Sequence, residues 1–414
     1  MKLLYLHQHF ATPKGSGGIR SYQMARHMVA RGHTVTMVCG RGVDGQSGLS
    51  GPFRKGLRRG TVDGISVIEI DLPYSNKDSF LKRTGTFLRF MLRTCQIVLT
   101  ERYDLLFATT TPLTVGVPGL VGRWLRGKPF VFEVRDLWPE LPKAMGVIRN
   151  PIILWAMRVL EWSSYRSAHQ VIGLSPGIVE GIAARGVDRD KIVMVPNGCD
   201  ADVFGGSPTV WQPTGVRDDD FLAIFAGAHG LANGLDAVLD AAAVLQRRGV
   251  SSIKIALIGN GMEKARLQSR AEREQLENII FIDSVPKTQL VGLFARADVG
   301  LQVLKNVPAF YYGTSPNKFF DYISASLPVL NNYPGWLAEI IENEKCGIVT
   351  PPDDPEAFAN GLVILAEDRK ETSRMGTRAG QLAERDFSRE LLARQWALCV
   401  EGVMADQKGA PGIP

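Results

Sequence analysis

The segment from Ser315 to Asp321 holds residues whose types and spacing could bind a phosphorylated sugar. Ser315 can cap a helix and Pro316 suits its first turn, so the sequence predicts a helix start here. The free N–H groups and partial positive charge of such a start suit a phosphate. Lys318 and Asp321 lie three apart on one face, which would bring a cation for a diphosphate beside a carboxylate for sugar hydroxyls. A surface ion pair between these two side chains is the alternative.

A second candidate loop follows the first apolar run and contains the pair Gly17-Gly18. Glycines at a helix start let the backbone approach a ligand closely, with N–H groups aimed at anionic oxygens, although a flexible turn is the alternative. Arg20 stands where a dinucleotide-binding G-x-G-x-x-G motif needs its third glycine. His7 and His9 could pair on a metal ion, but the sequence offers no obvious third ligand. We therefore expect no metal site.

Charged residues close a strongly apolar run at Glu133, Arg135 and Asp136. At the end of a buried strand they are candidates for contacts to a reacting group, and a structural Arg–Asp pair is the alternative. Two acidic clusters, residues 218–220 and 353–354, resemble metal-binding pairs only superficially, because turns and helix caps explain them.

Apolar runs of strand length alternate with helical patterns along the whole chain of 414 residues, which is too long for one ordinary core. Repeated βα units predict an α/β chain of two Rossmann-like, doubly wound domains facing a cleft, with ligands at the carboxyl ends of the strands. We expect domains of residues 1–205 and 206–387, joined through the Pro- and Gly-rich loop 196–215. The predicted strands are residues 2–6, 34–39, 65–70, 104–107, 129–134, 170–174, 192–195, 221–226, 253–258, 278–282, 298–302, 328–330 and 347–349.

The charge is unevenly distributed between the two halves. Residues 1–205 carry 27 Lys/Arg and 16 Asp/Glu, a net charge of +11, whereas the remainder has a net charge of −5. The first half should therefore face an anionic partner, and a membrane surface fits better than nucleic acid because no nucleic-acid-binding motif is present. The basic amphipathic stretch 78–100 predicts a helix that either packs on its domain or faces that membrane.

The cysteine pattern and the apolar runs indicate a compartment. The five cysteines are scattered, without a CxxC motif, which favours a reducing cytoplasm. The N-terminal apolar run is too short for a signal peptide, and no stretch is long enough to span a bilayer. We expect a cytoplasmic protein that is peripheral to the inner face of the plasma membrane.

Together these pieces resemble the GT-B retaining glycosyltransferases of family 4 across essentially the whole chain. The glycine loop and the run Arg31-Gly-His-Thr-Val35 resemble that family's first loop and second strand, and residues 182–204, with Pro196-Asn-Gly-Cys-Asp200, are similar to its interdomain signature. The resemblance implies a GT-B fold in which a C-terminal helix, residues 388–405, crosses back to the first domain.

The resemblance also implies a site for a nucleotide sugar, in which Asp321 matches the second acid of the family's E-x7-E motif and would hold the donor's ribose. Gly313 stands where the first Glu usually lies. In the loop 227–234 the usual Arg and Lys are replaced by Ala228 or His229 and by Asn233, and Arg135 replaces the usual His. Asp136, Arg135 and Glu133 would contact the acceptor or the transferred sugar. The residues expected to bind the donor are Gly17, Gly18, Gly227, His229, Asn233, Thr314, Ser315, Asn317, Lys318 and Asp321.

The activity that the resemblance implies is transfer of a sugar from a UDP-sugar to a polyprenyl-diphosphate-linked saccharide, with retention and without a metal or other cofactor. The patterns at residues 133–139 and 315–322 are similar to a branch of bacterial surface-polysaccharide transferases (O-antigen, capsule, colanic acid) that includes N-acetyl-L-fucosamine transferases. A UDP-sugar epimerase of the same fold and a non-catalytic two-lobed sugar-binding protein are the alternatives.

Overall fold

Two mainly parallel β-sheets organise the chain. The computed structural model describes residues 1–15, 17–42, 47–75, 78–204 and 209–409. The first unit is Met1–Pro196, Gly313–Ser315 and the segment that begins at Glu390, and the second is Asn197–Tyr312 and Pro316–Arg389. The division after Pro196 falls at the start of the loop in which the sequence predicts it. The predicted boundary itself, between 205 and 206, lies outside the described residues.

The first unit has an eight-stranded sheet with the order β3-β4-β2-β1-β5-β6-β7-β8, and all neighbouring strands are parallel except β3 and β4. Strands β1, β5 and β6 are almost entirely buried and apolar, because helices cover both faces of such a sheet. The strands are β1 (Lys2–Leu6), β2 (Thr34–Arg41), β3 (Leu57–Val62), β4 (Ile65–Pro73), β5 (Leu105–Thr109), β6 (Phe130–Val134), β7 (Gln170–Gly173) and β8 (Ile192–Met194).

Strand β3 is an antiparallel edge strand that the sequence reasoning missed. It pairs with β4 through a two-residue turn in which Asp63 has φ 49° and Gly64 has φ 81°. Positive φ at both positions is the backbone of the tight turn that an Asp-Gly pair favours, so these two residues were the available indication. The charged residues of Leu57–Val62 concealed the strand, because an edge strand need not be apolar.

Helices surround this sheet, and the C-terminal helix is one of them. Trp396 on that helix is fully buried, with its ring centroid 5.8 Å from that of Tyr5 and 4.8 Å from that of Phe107. The predicted return of the last helix to the first unit is therefore confirmed. The helices are α1 (Arg20–Ala30), α2 (Phe80–Thr100), α3 (Gly116–Leu125), α4 (Glu140–Ala144), α5 (Pro151–Ser167), α6 (Pro176–Ala184) and, at the end of the chain, α16 (Arg389–Gly409).

Helix α2 packs on its own unit. Phe90 and Val98 are fully buried, and Phe87 is only partly exposed because its ring stacks on Tyr74, with the centroids 5.7 Å apart. The sequence left open whether this helix packs on its domain or faces a membrane. For the Phe90 side the structure shows packing on the domain. None of the helices in the described ranges is long and apolar enough to cross a bilayer.

The second unit has a six-stranded parallel sheet with the order β11-β10-β9-β12-β13-β14. Its strands are β9 (Phe221–Ala226), β10 (Ile253–Ile258), β11 (Ile279–Ile282), β12 (Val299–Gln302), β13 (Val329–Asn331) and β14 (Gly347–Val349). Its helices are α7 (Ala201–Phe204), α8 (Asp236–Arg247), α9 (Lys264–Arg273), α10 (Lys287–Arg296), α11 (Pro308–Gly313), α12 (Asn317–Ser324), α13 (Trp336–Asn343), α14 (Pro355–Glu367) and α15 (Arg369–Asp386).

Among the parallel strands of each sheet the chain order reverses at one point, which positions the candidate sites. In the first sheet the chain order reverses between β1 and β5, and in the second between β9 and β12. Connections leave in opposite directions at such a point and open a crevice at the carboxyl ends of the strands, where ligands of doubly wound sheets bind. The loop containing Gly17 and Gly18 follows β1, and the loop from Gly227 to Asn233 follows β9.

Candidate functional site

Helix α12 is held above the reversal point of the second sheet by its apolar face. Phe319, Phe320, Tyr322 and Ile323 are buried. The Tyr322 hydroxyl accepts a hydrogen bond from the Ala226 amide at 2.9 Å, at the end of β9. Lys318 and Asp321 lie outside this packed face and share one side of the helix, as their spacing predicts.

The start of α12 differs from the prediction by one residue. Its N-cap is Pro316, with φ −71° and ψ 126°, and the Pro316 side chain makes no capping hydrogen bond. Pro316 adopts the extended conformation, so the first helical residue is Asn317 and the predicted cap, Ser315, lies one position too early.

Lys318 and Asp321 do not form the surface ion pair that was the alternative reading of their spacing. The Lys318 ammonium donates to Asn233 Oδ1 at 2.7 Å, whereas Asp321 Oδ1 lies 2.8 Å from the Lys287 ammonium. That alternative is therefore wrong. Lys318 instead connects α12 to the loop after β9, and so it brings two of the predicted donor residues together.

Lys318 is a partly buried cation without a carboxylate partner among the described residues. Its ammonium lies 4.9 Å from the centroid of the Phe225 ring. Burial lowers the pKa of Lys318 to about 7, because no anion offsets the lost solvation. An anionic ligand at this position would favour the protonated form of Lys318 and would bind the resulting ammonium through a charge-assisted hydrogen bond.

The loop after β9 is shaped by close backbone contacts. Asn233 donates through Nδ2 to the Ala228 carbonyl at 2.7 Å, which aims its Oδ1 at Lys318. Gly234 has φ 56°, and a Cβ there would lie 2.8 Å from the Lys305 backbone, so a larger residue could not take its place without a shift. The Gly227 amide is already bonded to the Ile258 carbonyl and is not available to a phosphate.

His229 does not fit the donor role predicted for it. Its side chain is fully buried, with its ring centroid 6.2 Å from both Phe225 and Phe281. Burial lowers the pKa of His229 to about 4, so the ring is neutral at physiological pH. We therefore correct this assignment, because a neutral side chain directed into the core has no surface from which to contact a diphosphate.

Asp321 belongs to a buried ionic network that the sequence reasoning missed. Lys287, at the start of α10, is 8% exposed and bridges Asp321 to Asp200 at 2.8 and 2.7 Å. Arg389 binds the second oxygen of Asp200 at 2.8 Å. Although burial opposes it, the two flanking carboxylates raise the pKa of Lys287. The network fixes the Asp321 carboxylate while leaving its side chain 14% exposed, so it can still accept a hydrogen bond from a ligand.

The remaining predicted residues of this segment do not share one unit. Thr314 and Ser315 are 9% exposed and belong to the first unit, whereas Asn317 is exposed as the first residue of α12 in the second. Asn233, Lys318 and Asp321 are therefore the predicted donor residues that the second unit itself brings together.

A pocket of about 330 Å³ opens beside the same loop without including Lys318 or Asp321. Its acidic groups already have partners, since Asp236 binds Arg266 through both oxygens and Asp353 accepts from Asn306. The lining residues come from 230–240, 263–267, 304–306 and 351–358, with Asn332.

In the first unit, Glu133 is the centre of a buried polar cluster at the carboxyl end of β6. Its carboxylate is fully buried and accepts from Arg20 Nε and Nη2 at 3.1 and 2.8 Å and from the Thr109 hydroxyl at 2.7 Å. Arg20 and Arg135 hold the pKa of Glu133 below its usual value although burial opposes them. These contacts make Glu133 a residue that positions its neighbours, because it has no exposed surface of its own.

Arg135 and Asp136 lie at the exposed edge of this cluster. The Arg135 side chain is 19% exposed and donates to Ser21 and Thr109, each at 3.1 Å. Asp136 is partly buried, and its only hydrogen bond within the described residues is a long one of 3.3 Å from the Thr111 hydroxyl. Burial raises the pKa of Asp136, and Arg135 partly offsets this effect. The two side chains thus remain available to a ligand, and the alternative of a direct Arg135–Asp136 pair has no such contact to support it.

Gly17 and Gly18 lie between β1 and α1 and are partly exposed. Nearby, His7 is buried and its Nδ1 has no hydrogen-bond partner. Burial lowers the pKa of His9 to about 4. Within the described residues no three His, Cys, Asp or Glu side chains form a group that could hold a metal ion.

Comparison with known proteins identifies the family. Residues 16–198 match the Glycosyl transferase 4-like domain, and residues 209–382 match Glycosyl transferases group 1. The chain is a GT-B glycosyltransferase. Both of its α/β units are accounted for by these matches, and the predicted fold class is confirmed.

Among the relatives of this glycosyltransferase is Escherichia coli K12 WcaL, whose name proposes it as a colanic acid biosynthesis glycosyltransferase; it is 23% identical over 53% of each chain. The O-antigen chain mannosyltransferase C of Escherichia coli is 25% identical over 58% of this chain and 63% of its own length. The glycosyltransferase thus spans about half the length of the curated relatives it matches. Anabaena HepE, solved with UDP-glucose, superposes with a TM-score of 0.69 at 16% identity over 97% of this chain and all of its own.

Lys287 is the functional candidate of the glycosyltransferase that sequence reasoning overlooked. It follows Pro286 at the start of a helix, and nothing in its local sequence distinguishes it from an exposed lysine. Lys287 begins the helix that follows the loop at the carboxyl end of β11. That position was the available indication, because this edge of the sheet is where ligands bind.

Proposed function

We propose that this glycosyltransferase moves a sugar from a UDP-activated donor to a polyprenyl-diphosphate-linked saccharide at the inner membrane surface, in the synthesis of a bacterial surface polysaccharide. The observation that carries the donor assignment is Lys318, a cation for which the described residues provide no carboxylate partner, at the start of α12 and at the reversal point of the second sheet. The names of WcaL and the O-antigen mannosyltransferase support the polysaccharide, and the UDP-glucose complex of HepE supports the donor class.

The donor's diphosphate would lie against Lys318, Asn233 and the first-turn N–H groups of α12, with its ribose on Asp321. Negative charge accumulates on the leaving diphosphate as its bond to the anomeric carbon breaks. A cation and oriented N–H groups already in place stabilise that charge without having to reorganise. The site as proposed uses no metal ion and no cofactor beyond the donor.

Retention of the anomeric configuration would follow if the acceptor hydroxyl attacks the anomeric carbon on the same face from which the leaving group departs. The acceptor hydroxyl oxygen forms the new bond to the anomeric carbon while the bond to the diphosphate oxygen breaks. The hydroxyl proton passes to the departing phosphate. Arg135 and Asp136 would orient the acceptor or the transferred sugar, for which an N-acetylated deoxyhexosamine such as N-acetyl-L-fucosamine is our candidate.

A panel of nucleotides tests the donor class. UDP and UDP-sugars are expected to raise the Tm of the purified protein more than GDP, ADP or their sugars at equal concentration, because a ligand that binds only the folded state stabilises it. A ligand at about 100 times its Kd contributes about 2.7 kcal/mol. A larger shift with GDP or ADP would contradict the UDP assignment.

Replacing Asp321 by Asn tests the ribose contact. The donor KM is expected to rise about tenfold to a hundredfold with a smaller change in kcat, since a hydrogen bond to a charged group contributes about 1.5–3 kcal/mol. Asp219→Asn is the matched control, because Asp219 lies in an exposed turn that precedes β9. An unchanged donor KM in Asp321→Asn would remove Asp321 from the site.

A further inference from the structure

Four large apolar side chains form the outward stripe of helix α5. Ile152, Trp155, Val159 and Trp162 are 73, 64, 43 and 50% exposed. Their spacing of three, four and three residues keeps them on one side of the helix. The buried residues of α5 occupy the opposite side, and these are Leu154, Glu161, Ser164 and Tyr165. The outward apolar stripe therefore lies opposite the side of α5 that packs on its own unit.

The stripe continues onto the end of the neighbouring helix α3. Trp124 is 65% exposed and Leu125 71% exposed. The Trp124 indole donates to the Ser167 hydroxyl at 3.1 Å, which joins the end of α3 to the end of α5. We call the combined patch the tryptophan surface. It consists of Trp124, Leu125, Ile152, Trp155, Val159 and Trp162.

Basic residues accompany the tryptophan surface, and acidic ones are almost absent from the segments that form it. Residues 105–132 contain three Lys/Arg and no Asp/Glu, and residues 141–169 contain four Lys/Arg and only Glu161. Glu161 is fully buried and accepts from Arg185 at 2.9 Å. Two of the cations lie over the indoles themselves, with Arg123 5.0 Å from the Trp124 centroid and Arg166 5.6 Å from that of Trp162.

We propose that the tryptophan surface binds an anionic lipid bilayer, with the α5 stripe at the level of the lipid headgroups. Tryptophan and arginine side by side are the composition of membrane interfaces, because the indole has an apolar body and a polar N–H while the guanidinium meets the lipid phosphates. Each basic residue near an anionic surface strengthens the attraction to it. A second copy of the chain would instead bring the same positive charges together.

This inference rests on the proposed function, since an acceptor linked to a polyprenyl diphosphate resides in a membrane. It also moves the membrane contact away from the Phe87 side of α2, which is packed against Tyr74. Trp155 and Trp162 become the residues that enter the interface.

Cosedimentation with vesicles tests the tryptophan surface. The unmodified protein is expected to bind vesicles of phosphatidylglycerol and phosphatidylcholine, and to bind pure phosphatidylcholine at least about tenfold more weakly. Trp155→Glu/Trp162→Glu should lose binding to the anionic vesicles by at least about tenfold. Ile364→Glu is the control, because Ile364 is 56% exposed on α14 of the second unit and should not alter vesicle binding.

Arg158 is one of the four basic residues of segment 141–169 and is exposed on α5. Arg158→Glu leaves the apolar stripe intact and provides a second test should the double variant fail to fold. This variant should bind anionic vesicles severalfold more weakly, and its vesicle binding should depend less on salt concentration than that of the unmodified protein. Equal vesicle binding by the unmodified protein and a folded double variant would overturn the proposal. So would a dimer, detected by light scattering, that the double variant converts to monomers without any vesicle binding by the unmodified protein.

The UDP-induced rise in Tm separates this inference from the proposed function. In the double variant we expect the rise to be unchanged, because the tryptophan surface lies in the first unit and the donor residues Lys318 and Asp321 in the second. Vesicle binding without a UDP response would contradict the donor assignment alone. A UDP response without vesicle binding would contradict the tryptophan surface alone.

Discussion

Replacing Lys318 by Met is expected to weaken UDP binding about tenfold to a hundredfold at pH 7 and to lower kcat/KM at least as much. The Lys318 ammonium is the cation that α12 directs at the loop after β9, and it has no carboxylate partner among the described residues. Losing a charged hydrogen-bond donor costs about 1.5–3 kcal/mol in the ground state. The loss is larger in the transition state, where the diphosphate gains charge. Isothermal titration and steady-state kinetics measure the two effects.

Lys370→Met is the matched control, because Lys370 is exposed on α15 and loses the same charge. A Lys318 variant that binds UDP as tightly as this control would exclude Lys318 from the diphosphate site. Loss of binding together with loss of folded structure would be recognised by circular dichroism.

The pH dependence of binding provides an independent check on Lys318. Only the protonated ammonium attracts a diphosphate, and in the free protein its pKa is lowered to about 7 by burial. UDP affinity should therefore fall as the pH rises above 7, by up to about tenfold per unit until the pKa of the bound state is reached. The terminal phosphate of UDP, with a pKa of about 6, is already ionised in this range. In Lys318→Met the decline should disappear, and a flat profile in the unmodified protein would contradict the assignment.

Replacing Glu133 by Ala is expected to lower the free energy of unfolding by about 3–5 kcal/mol. The substitution removes the carboxylate that accepts from the guanidinium of Arg20, which is 1% exposed, and removing one partner of a buried ion pair is strongly destabilising. The Thr109 hydroxyl would lose the shorter of its two hydrogen bonds and keep the Thr110 carbonyl as its acceptor. Thermal unfolding should show a fall in Tm of roughly 6–20 °C.

Glu101→Ala removes a comparable ion pair at the surface and is the control for this prediction. Glu101 pairs with Arg59, whose side chain is 54% exposed, so its loss should cost at most about 1 kcal/mol. Similar Tm values for the two variants would mean that Glu133 does not hold the cluster together. Glu133 would then return to the list of candidates for direct contact with a substrate.

The alternation of apolar runs and helical patterns was enough to predict the strands of both sheets, except β3. Buried parallel strands such as β5 and β9 must be apolar on both faces, so their sequences stand out locally. Strand β3 has one neighbour and charged side chains, and only the turn at Asp63-Gly64 indicated it. Local sequence patterns therefore predicted the core strands better than the edge.

The contacts of the candidate site were less predictable, because they join residues far apart in the chain. Lys318 and Asp321 share a face of α12 as their spacing predicts, yet each binds a partner from another segment, Asn233 and Lys287. His229, in the same loop as Asn233, turns into the core instead. Residue type and position in a loop do not distinguish these outcomes.

The amino-acid sequence by itself determined the two-unit α/β architecture and the presence of a cation and an acid in the first turns of α12. These features depend on periodicity, helix geometry and strand order, which act over a few residues or repeat along the chain. Only the tertiary structure decided that Lys318 has no carboxylate partner within the part of the chain that the structure describes, and that Glu133 is buried beneath Arg135. Burial and charge pairing depend on which distant segments pack around a side chain, and that packing sets both the pKa of Lys318 and the role of Glu133.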